Sequence, residues 1–153
     1  MDTLRVKIKR LRPNAVLPRY AHGPGEDAGL DLHSAEDVRL QAGVPTLIKT
    51  GLSIELPTGF EAQIRPRSGL ALKHGVTVLN SPGTLDPGYR GEVGVILLWN
   101  GHNPTSDTFG TFEINKGDRI AQMVVARYVG VEWAESELSQ SSRGDGGFGS
   151  SGV

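Results

Sequence analysis

The sequence contains no cysteine, which excludes disulfides, a thiolate nucleophile and any cysteine-ligated zinc or iron–sulfur centre. It also lacks a long apolar run. The longest, Val93 to Trp99, is far too short to cross a bilayer. The first dozen residues alternate charged and apolar side chains, without the apolar stretch of a secretory signal. Nor is there an excess of charge: the net value of -1 provides no global attraction to nucleic acid or anionic lipid. Helix-compatible stretches are equally scarce, because 21 glycines and 9 prolines, the two poorest helix formers, punctuate the 153 residues. No Gly-X-Y period accompanies them, so a collagen-like chain is excluded. What remains is a single soluble all-β domain, expected in the cytoplasm, with no nucleic-acid or membrane partner.

What is present supports that class. Short runs of β-type residues follow one another between turns: Arg5–Lys9, Val38–Leu40, Thr46–Lys49, Leu52–Leu56, Phe60–Arg65, Val76–Leu79, Val93–Trp99, Thr111–Ile114, Arg119–Tyr128 and Val129–Trp133. Such spacing predicts a sandwich, jelly roll or barrel. In the first run Arg5, Lys7 and Lys9 share one face and Val6 and Ile8 the other, as in an edge strand guarded by cations. The single expected helix is Ser68 to His74, opened by Ser68 as N-cap and closed by Gly75. Composition changes only at the end, where ten of the fifteen residues from Ser139 to Val153 are serine or glycine. This divides the chain into a β domain, 1–138, and a flexible C-terminal segment, 139–153.

Four segments of the body carry polar groups suited to chemistry. Pro66-Arg67-Ser68-Gly69 stands where a strand meets the expected helix, and its hydroxyl, guanidinium and free N–H groups suit a phosphate. An ordinary serine N-cap accounts for it equally well. Asp27 and Asp31 share one face if extended, suited either to water-mediated Mg²⁺ or to surface turns. In the turn-rich stretch Asn80 to Gly91, Asp86-Pro87-Gly88 favours a β-turn. Functionally, the same hairpin offers backbone groups to a small polar ring, Asp86 as a base and Tyr89 as a flat packing surface. Gly117 to Gln122 is a turn entering a strand, with Gln122 as a donor.

The tail adds Arg143 and Phe148. Ordering roughly six residues costs about 6–12 kcal/mol. Hydrogen bonds to charged groups return about 1.5–3 kcal/mol each, and a stacked ring adds about 0.5–1.5. Such a tail closes only over a multiply charged ligand such as a polyphosphate.

Five segments in this order, DAGLDL, PRSGLA, LNSPGTLDPGYRGEV, GDRIAQ and RGDGGFGSSG, closely resemble the five motifs of the homotrimeric dUTPase family, from about residue 20 onward. The resemblance implies a jelly-roll-like, distorted β-barrel, a homotrimer with a flexible C-terminal arm, and active sites at subunit interfaces. It implies Mg²⁺-dependent hydrolysis of dUTP to dUMP and pyrophosphate, limiting uracil in DNA and supplying dUMP for dTMP synthesis. Asp86 then corresponds to the carboxylate that activates the water attacking the α-phosphorus. Tyr89 corresponds to the ring under the deoxyribose. Asn80 and the backbone of Gly83, Thr84, Leu85 and Asp86 correspond to the uracil-reading hairpin. Arg67, Ser68, Gly69 and Gln122 match the phosphate cradle, and Asp31 the residue that holds Mg²⁺ through a water. Arg143 matches the γ-phosphate clamp and Phe148 the ring over uracil, with Gly149, Ser150 and Ser151 following the phosphates. Gly94 occupies a position near the substrate where some members carry a larger side chain, leaving a main-chain contact. The stretch Gly101 to Gly110 is read as a long surface loop.

Two other readings compete. A dCTP deaminase of the same fold uses a glutamate in the strand after the hairpin, but Val93 to Trp99 contains no carboxylate. A dUTP-binding regulatory module without turnover has no need of a base such as Asp86.

Overall fold

The computed structural model describes residues 3–101, 110–148 and 150. The loop expected between Gly101 and Gly110 lies almost wholly outside them, as do Gly149 and Ser151. Among these residues eleven strands and one helix follow in chain order: β1 Lys7–Arg10, β2 Leu30–His33, β3 Val38–Gln41, β4 Thr46–Lys49, β5 Leu52–Glu55, β6 Phe60–Arg65, α1 Ser68–His74, β7 Val76–Val78, β8 Gly83–Leu85, β9 Gly94–Trp99, β10 Thr111–Ile114 and β11 Arg119–Arg127. Every strand ladder among them is antiparallel. The strands form a four-stranded sheet β2-β11-β6-β8, a three-stranded sheet β4-β9-β7, and the pairs β1-β5 and β10-β3. The result is jelly-roll-like and, among the described residues, does not close into one continuous barrel.

Alternation explains both the strands and the core. Along β9 the odd positions Val95, Leu97 and Trp99 are buried, while Gly94 and Ile96 between them are only partly covered. Burying one such side chain is worth about 1.5–3 kcal/mol. Three of them hold β9 in register and fix where the intervening residues face. On β6, Ala62 and Ile64 enter the core while Glu61, Gln63 and Arg65 take the other face. The core also contains Leu32, Leu40, Ile48, Leu85 and Ile120, one or more from each of five further strands.

Three local expectations need correction. Ser68 is the first helical residue and not the cap: Arg67 holds the extended N-cap conformation, with no side-chain capping bond. The closing residue is as expected, for Gly75 takes the left-handed conformation at φ 64°. Val129–Trp133 is no strand. After Tyr128, whose N–H bonds to the Gly59 carbonyl at 3.1 Å, the backbone leaves the sheet. It finds no ladder partner among the described residues, although its residue pattern suits one. β1 begins two residues later than expected and, among the described residues, pairs on one side only, with β5, where Lys7 meets Glu55 at 3.0 Å.

Candidate functional site

The residues singled out between Asp27 and Gln122 gather into two clefts, and the sheet explains the division. β6 runs between β11 and β8. Ile64 on its core face lines the first cleft, and its neighbour Arg65 lines the second. Successive strand residues point to opposite sides. β6 therefore separates the clefts, which share no lining residue.

The first cleft, about 260 Å³, brings together Asn80, Gly83, Thr84, Leu85, Asp86, Tyr89 and Gly94. β8 presents Gly83, Thr84 and Leu85 by pairing with Ile64, Gln63 and Ala62 of β6. A Cβ on Gly83 would stand 3.2 Å from Asn80 Nδ2, so the missing side chain lets the asparagine amide lie against this strand. Beyond β8 the chain turns as expected, with the Tyr89 N–H donating to the Asp86 carbonyl at 3.1 Å. Arg90 Nη1 braces the turn by donating to the carbonyls of Pro87 (2.6 Å) and Tyr89 (2.9 Å). The Tyr89 hydroxyl donates to the Glu92 carbonyl at 2.9 Å, and the ring lies directly over Gly91, where any Cβ would overlap it. Asp86 is exposed at the edge of this frame. At Gly94, a Cβ would approach Leu47 Cδ1 to 2.6 Å, so the room left by the absent side chain is taken by Leu47.

The second cleft, about 520 Å³, is more polar and holds Asp31, Arg67, Ser68, Gly69 and Gln122. Asp31 of β2 stands opposite Gln122 of β11, which stands opposite Arg65 of β6. Gln122 Nε2 donates to the Pro66 carbonyl at 2.9 Å. A Cβ on Gly29 would overlap the Gln122 amide, which explains why the first motif carries a glycine there. The segments DAGLDL, PRSGLA and GDRIAQ thus meet at one side chain. Ser68 is exposed, and its hydroxyl makes no hydrogen bond among the described residues. The hydroxyl therefore does not cap the helix.

Asp31 is largely buried and already paired: Arg67 Nε donates to it at 3.0 Å, and Arg119 Nη1 lies at 3.4 Å. No three histidine or acidic side chains converge on a metal position among the described residues. A single carboxylate flanked by arginines suits a hydrated ion carried in by its ligand better than a resident one. His33, opposite Arg119, leaves Nδ1 unpartnered among the described residues, and its burial pushes the imidazole below its usual pKa range.

Sequence reasoning missed several lining residues of the second cleft: Arg65, Arg119, His22 and Glu26. His22 and Asp27 brace the cleft's outer loop. The His22 N–H reaches Asp27 Oδ2 at 2.5 Å and its ring lies 3.2 Å from Oδ1. These contacts, the backbone one foremost, hold the Asp27 carboxyl below its usual range. Asp27 thus braces the loop through His22, while it and Asp31 both line the second cleft. A residue pattern with five-residue spacing in a loop gives no signal for such a clasp.

Arg143 and Phe148, among the described tail residues, line neither cleft. Arg143 Nε donates to the Gly146 carbonyl at 2.7 Å, and the Gly146 and Ser150 N–H groups bond back to Arg143 and Gly147. Phe148 is fully exposed, at a positive φ of 49°.

Comparison with known proteins agrees with this geometry. The dUTPase family model matches residues 17–152. A protein of Solibacter usitatus named deoxyuridine 5'-triphosphate nucleotidohydrolase is 58% identical over 149 residues, covering 97% of each chain. One of the same name from Crocosphaera subtropica is 53% identical, over 98% of this chain and 100% of its own. Among solved structures, a mutant dUTPase of Staphylococcus bacteriophage 80alpha with dUpNHpp superposes with a TM-score of 0.85 at 30% identity, covering 99% of this chain and 100% of that one. A mutant dUTPase of the S. aureus phage phi11, described with a structural Mg(II) ion, gives 0.78 at 28% identity, covering 90% and 100%. With the first four motifs gathered into two clefts of a matching fold, and with relatives aligned over nearly their whole length, the chain belongs to the dUTPase family.

Proposed function

We propose that this protein hydrolyses dUTP to dUMP and pyrophosphate in sites completed between subunits of a homotrimer. The observation that carries the reading is the convergence of Asn80, the Gly83–Leu85 strand, Asp86 and Tyr89 on one small cleft. Asn80 and the β8 backbone offer fixed donors and acceptors to uracil. Cytosine, with its 4-amino group, would reverse that pattern and leave buried polar groups unpaired. The Tyr89 ring, held over Gly91, would pack under the sugar and leave no space for a 2′-hydroxyl. Tyr89→Ala is expected to shift the dUTP-to-UTP ratio of kcat/KM toward UTP by about tenfold or more. Unchanged rejection of UTP would place the sugar filter elsewhere.

The phosphates belong to the second cleft, with Arg67, Ser68, Gly69 and Gln122 as the cradle. Because β6 stands between the clefts, a nucleotide held by both would be shared between subunits. This supports assembly: the hairpin of one subunit faces the cradle of another. The exposed alternation Val129, Val131, Trp133, with Val129 86% and Trp133 91% accessible, supports it too, as a strand pattern awaiting a partner outside its own chain. Oligomeric mass by light scattering tests it directly.

In the reaction, Asp86 would accept the proton of a water positioned in line with the α-phosphorus. A carboxylate is a weak base, so positioning and charge neutralisation supply most of the acceleration. Asp31 would take a hydrated Mg²⁺ on the triphosphate by outer-sphere contact; when bound, the ion neutralises phosphate charge. Arg67 would hold the phosphates, and Arg143 and Phe148 of the tail would close over the γ-phosphate and uracil, followed by Gly149, Ser150 and Ser151.

The deaminase alternative draws no support from the site. The acid nearest to β9, Glu92, does line the first cleft. Its Oε1 is held by the Gly51 N–H at 2.9 Å and by Arg12 at 3.3 Å, which makes it a brace and not a proton shuttle. The absence of cysteine and a freely soluble substrate fit a cytoplasmic enzyme. Among the described residues no helix is long and apolar enough to cross a membrane.

Pyrophosphate release from dUTP, dCTP, dTTP and UTP, with and without Mg²⁺, tests the proposal. Release from dUTP alone, dependent on Mg²⁺, is expected. Ammonia from dCTP, or tight dUTP binding without turnover, would overturn it.

A further inference from the structure

Arg65 is the cation of the second cleft whose charge is left unanswered. Arg67 and Arg119 share Asp31, and His22 answers Asp27. No carboxylate lies within ion-pair distance of Arg65 among the described residues; the ion pairs of the cleft all involve its neighbours. Glu26, the cleft's other unpaired charge, sits exposed on the outer loop.

Arg65 is nevertheless held in place. Its Nε and Nη2 donate to Gln63 Oε1 at 3.2 and 2.7 Å, and Gln63 Nε2 donates to Glu61 Oε1 at 2.8 Å. Residues 61, 63 and 65 alternate onto one face of β6, so this chain of bonds runs straight along the strand. A neutral amide orients the guanidinium without neutralising it. Only two of its five N–H donors are used, and a planar fork of this kind matches a phosphate.

Position says which phosphate. Asp31, Gln122 and Arg65 form one row across β2, β11 and β6. Strands lie about 4.8 Å apart, so the carboxylate-bearing and guanidinium-bearing positions are about 10 Å apart. A triphosphate laid along that row would have its metal-bearing side toward Asp31 and its far end toward Arg65. The α-phosphate must remain beside the Asp86 carboxylate, and the terminal phosphates carry most of the charge.

We infer that Arg65 binds the β,γ-phosphates of the substrate, and the pyrophosphate they become, as a cation additional to Arg67 and Arg143. The inference rests on the dUTPase reading. The test is calorimetric titration of the wild-type protein and of Arg65→Gln with dUpNHpp, pyrophosphate and dUMP, with oligomeric mass measured in parallel. Arg65→Gln should weaken dUpNHpp and pyrophosphate by about 10- to 100-fold, leave dUMP unchanged and keep the wild-type mass. Arg65→Lys should recover part of the loss, since it restores charge without the fork. Unchanged dUpNHpp affinity, an equal loss for dUMP, or a change of mass would each overturn the assignment; the last would make Arg65 an interface residue. Failure of the wild-type protein to bind dUpNHpp would sink the dUTPase reading itself, so the two failures are distinguishable.

Discussion

Asp86→Asn is expected to lower kcat by about 10²–10⁴-fold, the range a positioned general base supplies, while dUpNHpp affinity stays within a few fold of wild type. The geometry explains why binding should survive. What holds the Asp86 turn is its main-chain carbonyl, which accepts the Tyr89 N–H, together with Arg90 donating to the Pro87 and Tyr89 carbonyls. None of these bonds uses the carboxylate, and asparagine keeps its shape. The substitution therefore removes a proton acceptor from an otherwise intact cleft. Single-turnover hydrolysis beside equilibrium titration separates the two effects. Near-normal turnover would reject Asp86 as the base, and a parallel collapse of affinity would show that it anchors the nucleotide instead.

Much of this molecule can be read from residue order because strand alternation is a local property. β4, β6 and β10 begin and end where their apolar periodicity and flanking turns place them. β8 is harder to see: three residues between turn-forming segments carry too little pattern, and only the ladder to β6 makes Gly83–Leu85 a strand. β2 is hidden in the same way inside the first motif. Val129–Trp133 shows the opposite error. Its alternation is real, but no edge within the described chain accepts it, so pattern without a partner forms no ladder.

The site divides similarly. The family resemblance names Asp86, Tyr89, Arg67 and Gln122, because motif residues survive without reference to register. It does not tell that they fall on two sides of β6, since that depends on which strands flank it. Nor does it find Arg65 and Arg119, whose significance comes from cross-strand neighbours more than fifty residues away in sequence for both Arg65↔Gln122 and Arg119↔His33.

Removal of the chain from Arg143 onward is expected to leave the assembly folded and catalysis crippled, with kcat/KM for dUTP reduced by about 100-fold. Every hydrogen bond that the described tail residues make is local: Gly144 to Ser141, Gly146 to Arg143, Arg143 to Gly146 and Ser150 to Gly147. None ties the tail to the β core, so its loss leaves no buried group unpaired, and the melting temperature should move little. The catalytic loss follows from what the tail brings on closure. A guanidinium on a phosphate is worth about 1.5–3 kcal/mol and a stacked ring about 0.5–1.5, against an ordering cost of about 1–2 kcal/mol per residue fixed. Those two contacts together, about 2–4.5 kcal/mol, do not cover the roughly 6–12 kcal/mol that ordering about six residues costs, so further phosphate hydrogen bonds must supply the rest. Closure therefore depends on a highly charged ligand, and dUMP affinity should be nearly unaffected by the truncation. Light scattering, thermal melting and steady-state kinetics on the shortened chain decide the matter. Retained activity would make the tail dispensable, whereas loss of the folded assembly would make it a structural strap between subunits.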